Sequence, residues 1–198
     1  MFLQTPADIA AASRLYQGNL DQLGFVMNLT RAWAWRPEVC DAFSTLRTLL
    51  TDGSSFSERE LAVIVCATAA SLGDSYCALA WGKKLAEASD AATAAAVLQD
   101  ADSGGLAARD RALAAWARKV VRNPNATCPQ DVEDLRSAGL SDREIFEATA
   151  FVAFRLAFST VNDALGIRPD WQVAAAAPPA VRSAVTFGRA CAEREAQR

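Results

Sequence analysis

Apolar residues recur along this chain with a period near 3.6, and runs of alternating β-branched residues are missing, so the pattern predicts an all-α protein. A first helix opens at Pro6-Ala7-Asp8 and extends to about Leu20. A second starts at Pro37, whose missing N–H suits a first helical position, and carries the apolar stripe Val39, Phe43, Leu46, Leu49 and Leu50. Between them, residues 23–35 are apolar but irregular, and are expected to pack under their neighbours or under another subunit. After a turn at 51–55, Ser57-Glu58-Arg59-Glu60 has the form of a capping box. It starts a helix to about Ala70 that is apolar on every side, which predicts the central buried helix of the fold. Ser71-Leu72-Gly73 interrupts it, Asp74 is a natural N-cap, and a helix over 75–88 follows with Cys77 in its first turn.

Further helices are predicted over 91–98, 107–121, 130–137 and 142–165, the second after a turn at Ser103-Gly104-Gly105 and the third after Asn123-Pro124-Asn125. Beyond Gly166, residues 168–179 read as an arm suited to wrapping a partner, and a final helix is expected over 181–195. The chain accordingly divides into an N-terminal helix (1–22), a helical domain (23–167) and a C-terminal arm and helix (168–198). Ser141-Asp142-Arg143-Glu144 repeats the Ser-x-Arg-Glu pattern of 57–60, which suggests an internal duplication, although a capping box starts many unrelated helices.

With 198 residues and 52% hydrophobic content, the chain can bury a core without a metal or disulfide. Its 20 basic and 23 acidic residues are dispersed, which argues against a nucleic-acid or anionic-membrane surface. No apolar run is long enough to span a bilayer and the N-terminus lacks a secretory pattern, so a cytoplasmic location is expected. Cys40, Cys66, Cys77, Cys128 and Cys191 lack the spacing of a disulfide framework and read as free thiols. There is no histidine, so any chemistry has to run on other side chains, and no metal or cofactor is expected.

Residues 59–63 and the run Leu72-Gly73-Asp74-Ser75-Tyr76-Cys77-Ala78-Leu79-Ala80-Trp81-Gly82 resemble the carboxymuconolactone decarboxylase superfamily, in particular its AhpD-like alkylhydroperoxidase branch. Leu23-Gly24-Phe25, Pro37-Glu38-Val39 and Leu165-Gly166 extend the resemblance over roughly residues 20–167. It implies an AhpD-like helical bundle, homo-oligomers, a small-molecule substrate and a thiol redox activity. The redox members carry Cys-x-x-Cys, a histidine four residues on, and an upstream glutamate in a proton relay. Here Cys77 falls on the second cysteine, Asp74 on the first and Trp81 on the histidine, with Glu60 the candidate glutamate. A two-thiol mechanism within the motif is thereby removed, and an external thiol reductant is implied.

The expected catalytic set is therefore Cys77, with Glu60 and Asp74 handling protons and Tyr76 as a hydrogen-bond donor. A cysteine in the first turn of a helix is favoured as thiolate by the exposed N–H groups, whereas burial and the Asp74 carboxylate oppose it. Each residue also has a plain structural role: Cys77 as a packed small side chain, Asp74 as a cap, Glu60 as the partner of Ser57. Arg155, a lone charge in an apolar helix, is either an anchor for an anionic substrate or one half of a buried salt bridge, with Glu60, Asp74 or Glu147 as candidate partners. Trp81 is expected to fill the substrate pocket. Cys66 and Cys40 are candidate resolving thiols. The alternative function is a non-catalytic oligomeric scaffold or small-molecule-binding member, and a third reading is lactone or carboxylate chemistry that depends on Arg155 and Glu60 without the thiol.

Overall fold

The computed structural model describes residues 1–6, 9–101 and 104–194, with the side chains of 9–11 left aside. Among them are eleven α-helices and no strand: α1 (Ile9–Leu23), α2 (Asn28–Trp33), α3 (Pro37–Asp52), α4 (Glu58–Leu72), α5 (Ser75–Ala88), α6 (Ala91–Gln99), α7 (Ala108–Arg122), α8 (Pro129–Ser137), α9 (Asp142–Ala164), α10 (Trp171–Ala176) and α11 (Pro179–Ala184). The expected helix start at Ala7-Asp8 and the Ser103 end of the second turn lie outside the described residues.

α4 is the buried axis of the molecule. Every residue from Leu61 to Ala69 is buried, and α5, α6, α7 and α9 all pack against it. Side chains such as Val63, Ile64 and Val65 each stabilise the fold by about 1.5–3 kcal/mol on burial. The helix ends where Gly73 takes a left-handed conformation (φ +84°), and Asp74 at once caps α5, so two packed helices are joined by a two-residue connection.

The aromatic stretch before α3 is partly ordered as α2. Trp33 is buried, stacks on Phe158 and donates its indole N–H to Asn162 Oδ1 at 2.8 Å. On α3 only part of the apolar stripe reaches the core: Phe43 and Leu50 pack against it, whereas Leu46 and Leu49 are exposed.

The C-terminal region departs from the expectation. The arm contains α10, and the final helix is a short one that stops at Ala184 instead of running through the described part of 181–195. The chain then crosses over the start of α5. Gly188 (φ +72°) approaches so closely that a Cβ there would lie 2.4 Å from the Gly73 carbonyl oxygen, and Ser75 Oγ both accepts from the Arg189 N–H and donates to its carbonyl. Arg168 donates to the carbonyls of Ala190 and Cys191. These tertiary bonds replace the helical ones, and the segment folds back on its own chain. α11 docks at Gly82 of α5, where an added Cβ would meet Val181 Cγ1 at 2.6 Å.

Both expected capping boxes form: Ser57 with Glu60, and Ser141 with Glu144. The two glutamates also converge on one residue, Arg109 of α7, which bonds to each. Burial raises the Glu60 pKa, but the bonds from Arg109 and Ser57 outweigh it and hold the carboxyl below its usual value. Bonds from the Ser141 N–H and hydroxyl, aided by Arg109 and Ser55, hold Glu144 down to about 2. A depressed carboxylate contributes stability that is present above its unfolded pKa and is lost as pH falls. Arg109→Leu is therefore expected to cost roughly 2 kcal/mol at pH 7, the scale of hydrogen bonds to charged groups. In urea unfolding at stepped pH, the gap to the native chain should narrow between about pH 4.5 and 2; a gap independent of pH would contradict the assignment.

Candidate functional site

The start of α5 carries the predicted thiol. Asp74 is fully buried and its Oδ1 accepts the backbone N–H of Cys77 at 2.9 Å, as an N-cap does. Cys77 is 4% exposed. Opposite it stands α9, whose otherwise apolar core face carries a buried polar row at i, i+4 and i+7: Arg155, Ser159 and Asn162. Arg155 Nη2 donates to Cys77 Sγ at 2.8 Å, and Ser159 Oγ lies 3.7 Å from the same sulfur. The guanidinium also faces the rings of Phe158 and Trp81, 5.3 and 5.6 Å from their centroids.

Arg155 is only 5% exposed, and among the described residues no carboxylate stands within ion-pair distance of it. The salt bridge to Glu60, Asp74 or Glu147 considered from the sequence does not form; the sulfur occupies that place. Glu60 belongs to Arg109, and Glu147 is paired with Arg143 at 2.7 Å.

Burial pushes the Cys77 thiol up to about 12; Arg155 is the strongest influence against this, and the Asp74 carboxylate adds to the rise. The thiol is therefore protonated at neutral pH, with a cation already seated beside it. Cys66, buried on α4, is pushed well above its usual value by burial and by Cys77. A second carboxylate, Asp163 on α9, is pushed up to about 7 by burial and by Asp74, with Arg189 opposing. Asp74 Oδ2 is buried and makes no hydrogen bond among the described residues.

The structure thus brings together Cys77, Asp74 and Arg155, with Trp81 behind the arginine. It does not bring Glu60 into contact with them. Glu60 lies at the opposite end of α4, six residues before Cys66, about 9 Å along the axis. Tyr76 is buried in a separate apolar cluster with Ala32 and Ile167, and its hydroxyl donates to Asp170. Burial and that carboxylate push the phenol far above its usual value. Cys40 lies on α3, and no cysteine is disulfide-bonded among the described residues. Among those residues no group of three or more Cys, Asp or Glu side chains could hold a metal ion, and no helix is long and apolar enough to cross a membrane.

Trp81 also forms a wall of a cleft of about 670 Å³ between α3, α4 and α5, together with Arg47, Phe56, Leu61 and Lys84. Lys84 Nζ lies 4.4 Å from the indole centroid. Ser159 and Lys84 were not singled out from the sequence. Ser159 had a signal, its position four residues after Arg155 on one helix; Lys84 had none beyond its proximity to Trp81.

No family model and no curated protein sequence matches the chain. Solved structures do. An uncharacterized peroxidase-related protein from a Silicibacter species has 24% identity and a TM-score of 0.78, over 87% of this chain and 93% of that one. A second such protein, from Ralstonia eutropha and described as an alkylhydroperoxidase AhpD core, has 26% identity and a TM-score of 0.74, over 87% and 94%. The debrominase Bmp8, in a cysteine-to-alanine form bound to 2,3,4-tribromopyrrole, has 17% identity and a TM-score of 0.68, over 92% and 93%. The chain carries the AhpD-like all-helical fold of these peroxidase-related proteins.

Proposed function

We propose that this protein is a thiol-dependent hydroperoxide reductase acting through Cys77 alone. The observation that carries the reading is the buried Arg155 guanidinium on the Cys77 sulfur, with no carboxylate among the described residues to answer it. In the reaction, the thiol proton passes to the free Oδ2 of Asp74 and the thiolate is paired with Arg155. Sulfur attacks the terminal peroxide oxygen, the O–O bond breaks, and the alkoxide leaves as alcohol with the proton from Asp74. Cys77 becomes the sulfenic acid. An external thiol condenses with it to release water and form a mixed disulfide, and a second external thiol restores Cys77 and leaves as disulfide. Arg155 and Ser159 steady the charge on sulfur, Trp81 is the side chain that the site and the cleft share, and Glu60 acts by anchoring α4 through Arg109. The expected setting is a reducing compartment such as the cytoplasm, where free thiols persist.

A second reading, a family member that binds small molecules without turnover, is favoured by the burial of Cys77 and its raised pKa. Peroxide consumption separates the two. With cumene hydroperoxide and dithiothreitol, Cys77→Ser should lower the rate at least ~100-fold and Arg155→Leu by about 10²-fold, the scale of losing one preorganised charge contact. Unchanged consumption by Cys77→Ser would remove the redox reading.

We also propose that the protein is a homo-oligomer. Leu49 is 70% and Phe146 73% exposed, apolar surface that a second copy of the chain would cover. Light scattering is expected to give a multiple of the chain mass, and a monomer would contradict this.

A further inference from the structure

The cleft in front of Trp81 has an apolar floor of Trp81, Phe56 and Leu61 and cations around the indole. Lys84 covers the ring, Arg155 approaches it from the Cys77 side, and Arg47 enters from α3. None of the three is in a salt bridge among the described residues. The cleft also contains Asp52, Glu58 and Glu87, so its charges have to be weighed individually. Glu87 is paired with Lys83 at 2.7 Å, and Asp52 accepts the Thr51 hydroxyl at 3.0 Å. Glu58 acts on Lys84 and pulls its pKa up, but burial and Arg47 push it down, Arg155 and Lys83 add to that, and the net shift is downward. Burial is the largest cause of that shift and the Arg47 charge the next, so an anion seated between Lys84 and Arg47 would favour the charged lysine.

From this arrangement we infer that the cleft binds an organic anion with a flat apolar body, its ring on the Trp81 face that Lys84 now covers and its charge on Lys84 and Arg47. A volume near 670 Å³ suits a ligand of one or two rings. The inference rests on the redox reading for its role, and supplies the substrate class: a hydroperoxide carried on an aromatic or similarly flat acid, with Trp81 standing between the cleft and the Arg155–Cys77 pair.

The test reads binding without turnover, so it stands or falls separately from the peroxidase assay. The reduced full chain is titrated calorimetrically with 2-naphthoate, with the neutral 2-naphthalenemethanol and with the cationic 2-naphthylmethylammonium. The expected result is 2-naphthoate at least about tenfold tighter than the alcohol, and the ammonium weakest. The double variant Arg47→Met/Lys84→Met should abolish the advantage of the anion while the alcohol still binds. Trp81→Leu should weaken both, and Cys77→Ser should leave both unchanged, with circular dichroism confirming the fold of each variant. Equal affinity for anion and alcohol, preference for the ammonium, an advantage that survives in the double variant, or no binding by the folded native chain would each overturn the inference.

Discussion

A guanidinium enclosed by apolar side chains has to be answered, and in this protein sulfur and aromatic rings do it. Taking a charge out of water costs several kcal/mol even after the surroundings relax. Arg155 recovers part of that from the faces of Trp81 and Phe158, contacts worth on the order of 1–2 kcal/mol each when desolvated. Among the described residues its one hydrogen bond goes to Cys77 Sγ. The two residues are tuned by each other. Burial alone would make the thiol inert, while the arginine beside it is ready to pair with a thiolate once the proton has left.

The rest of the fold sets up that meeting. α4 is buried on all sides and fixes α5 on one flank and α9 on another, so the first turn of α5 faces the middle of α9. Gly73 and Asp74 compress the α4–α5 connection and orient the Cys77 N–H into the cap. At the far end, Arg109 ties the starts of α4 and α9 together through their capping glutamates. The C-terminal segment closes over Gly73 and Ser75, covering the start of α5 from solvent. The all-helical fold is shared with two peroxidase-related proteins and with the debrominase Bmp8.

Most helices were legible in the sequence because local signals agree there: Pro37 at a helix start, two Ser-x-x-Glu boxes, Asp74 as cap, Gly73 as stop. The central position of α4 followed from its lack of a polar face. The C-terminal helix was overextended because 185–192 are held by tertiary bonds to Ser75 and Arg168, which no local pattern records. The site was legible one residue at a time but not as pairs. Cys77 and Asp74 are neighbours in sequence, and their cap could be read. The partners of Arg155 and Glu60 lie on other helices, so a buried arginine invites a carboxylate where the fold puts the Cys77 sulfur, and Glu60 is drawn toward a thiol when its ion pair is with Arg109. Only the polar row Arg155, Ser159, Asn162 could have been found by periodicity alone.

The pairing of Arg155 with Cys77 is tested most directly by the pH dependence of iodoacetamide alkylation at Cys77, followed by peptide mass spectrometry to separate it from the exposed Cys128 and Cys191. In the native chain the thiol should titrate far above the value of free cysteine, about 8.5, toward about 12. Arg155→Met should move it higher still, so that alkylation at a given pH slows. A Cys77 titration that is unaffected by Arg155→Met would contradict the account.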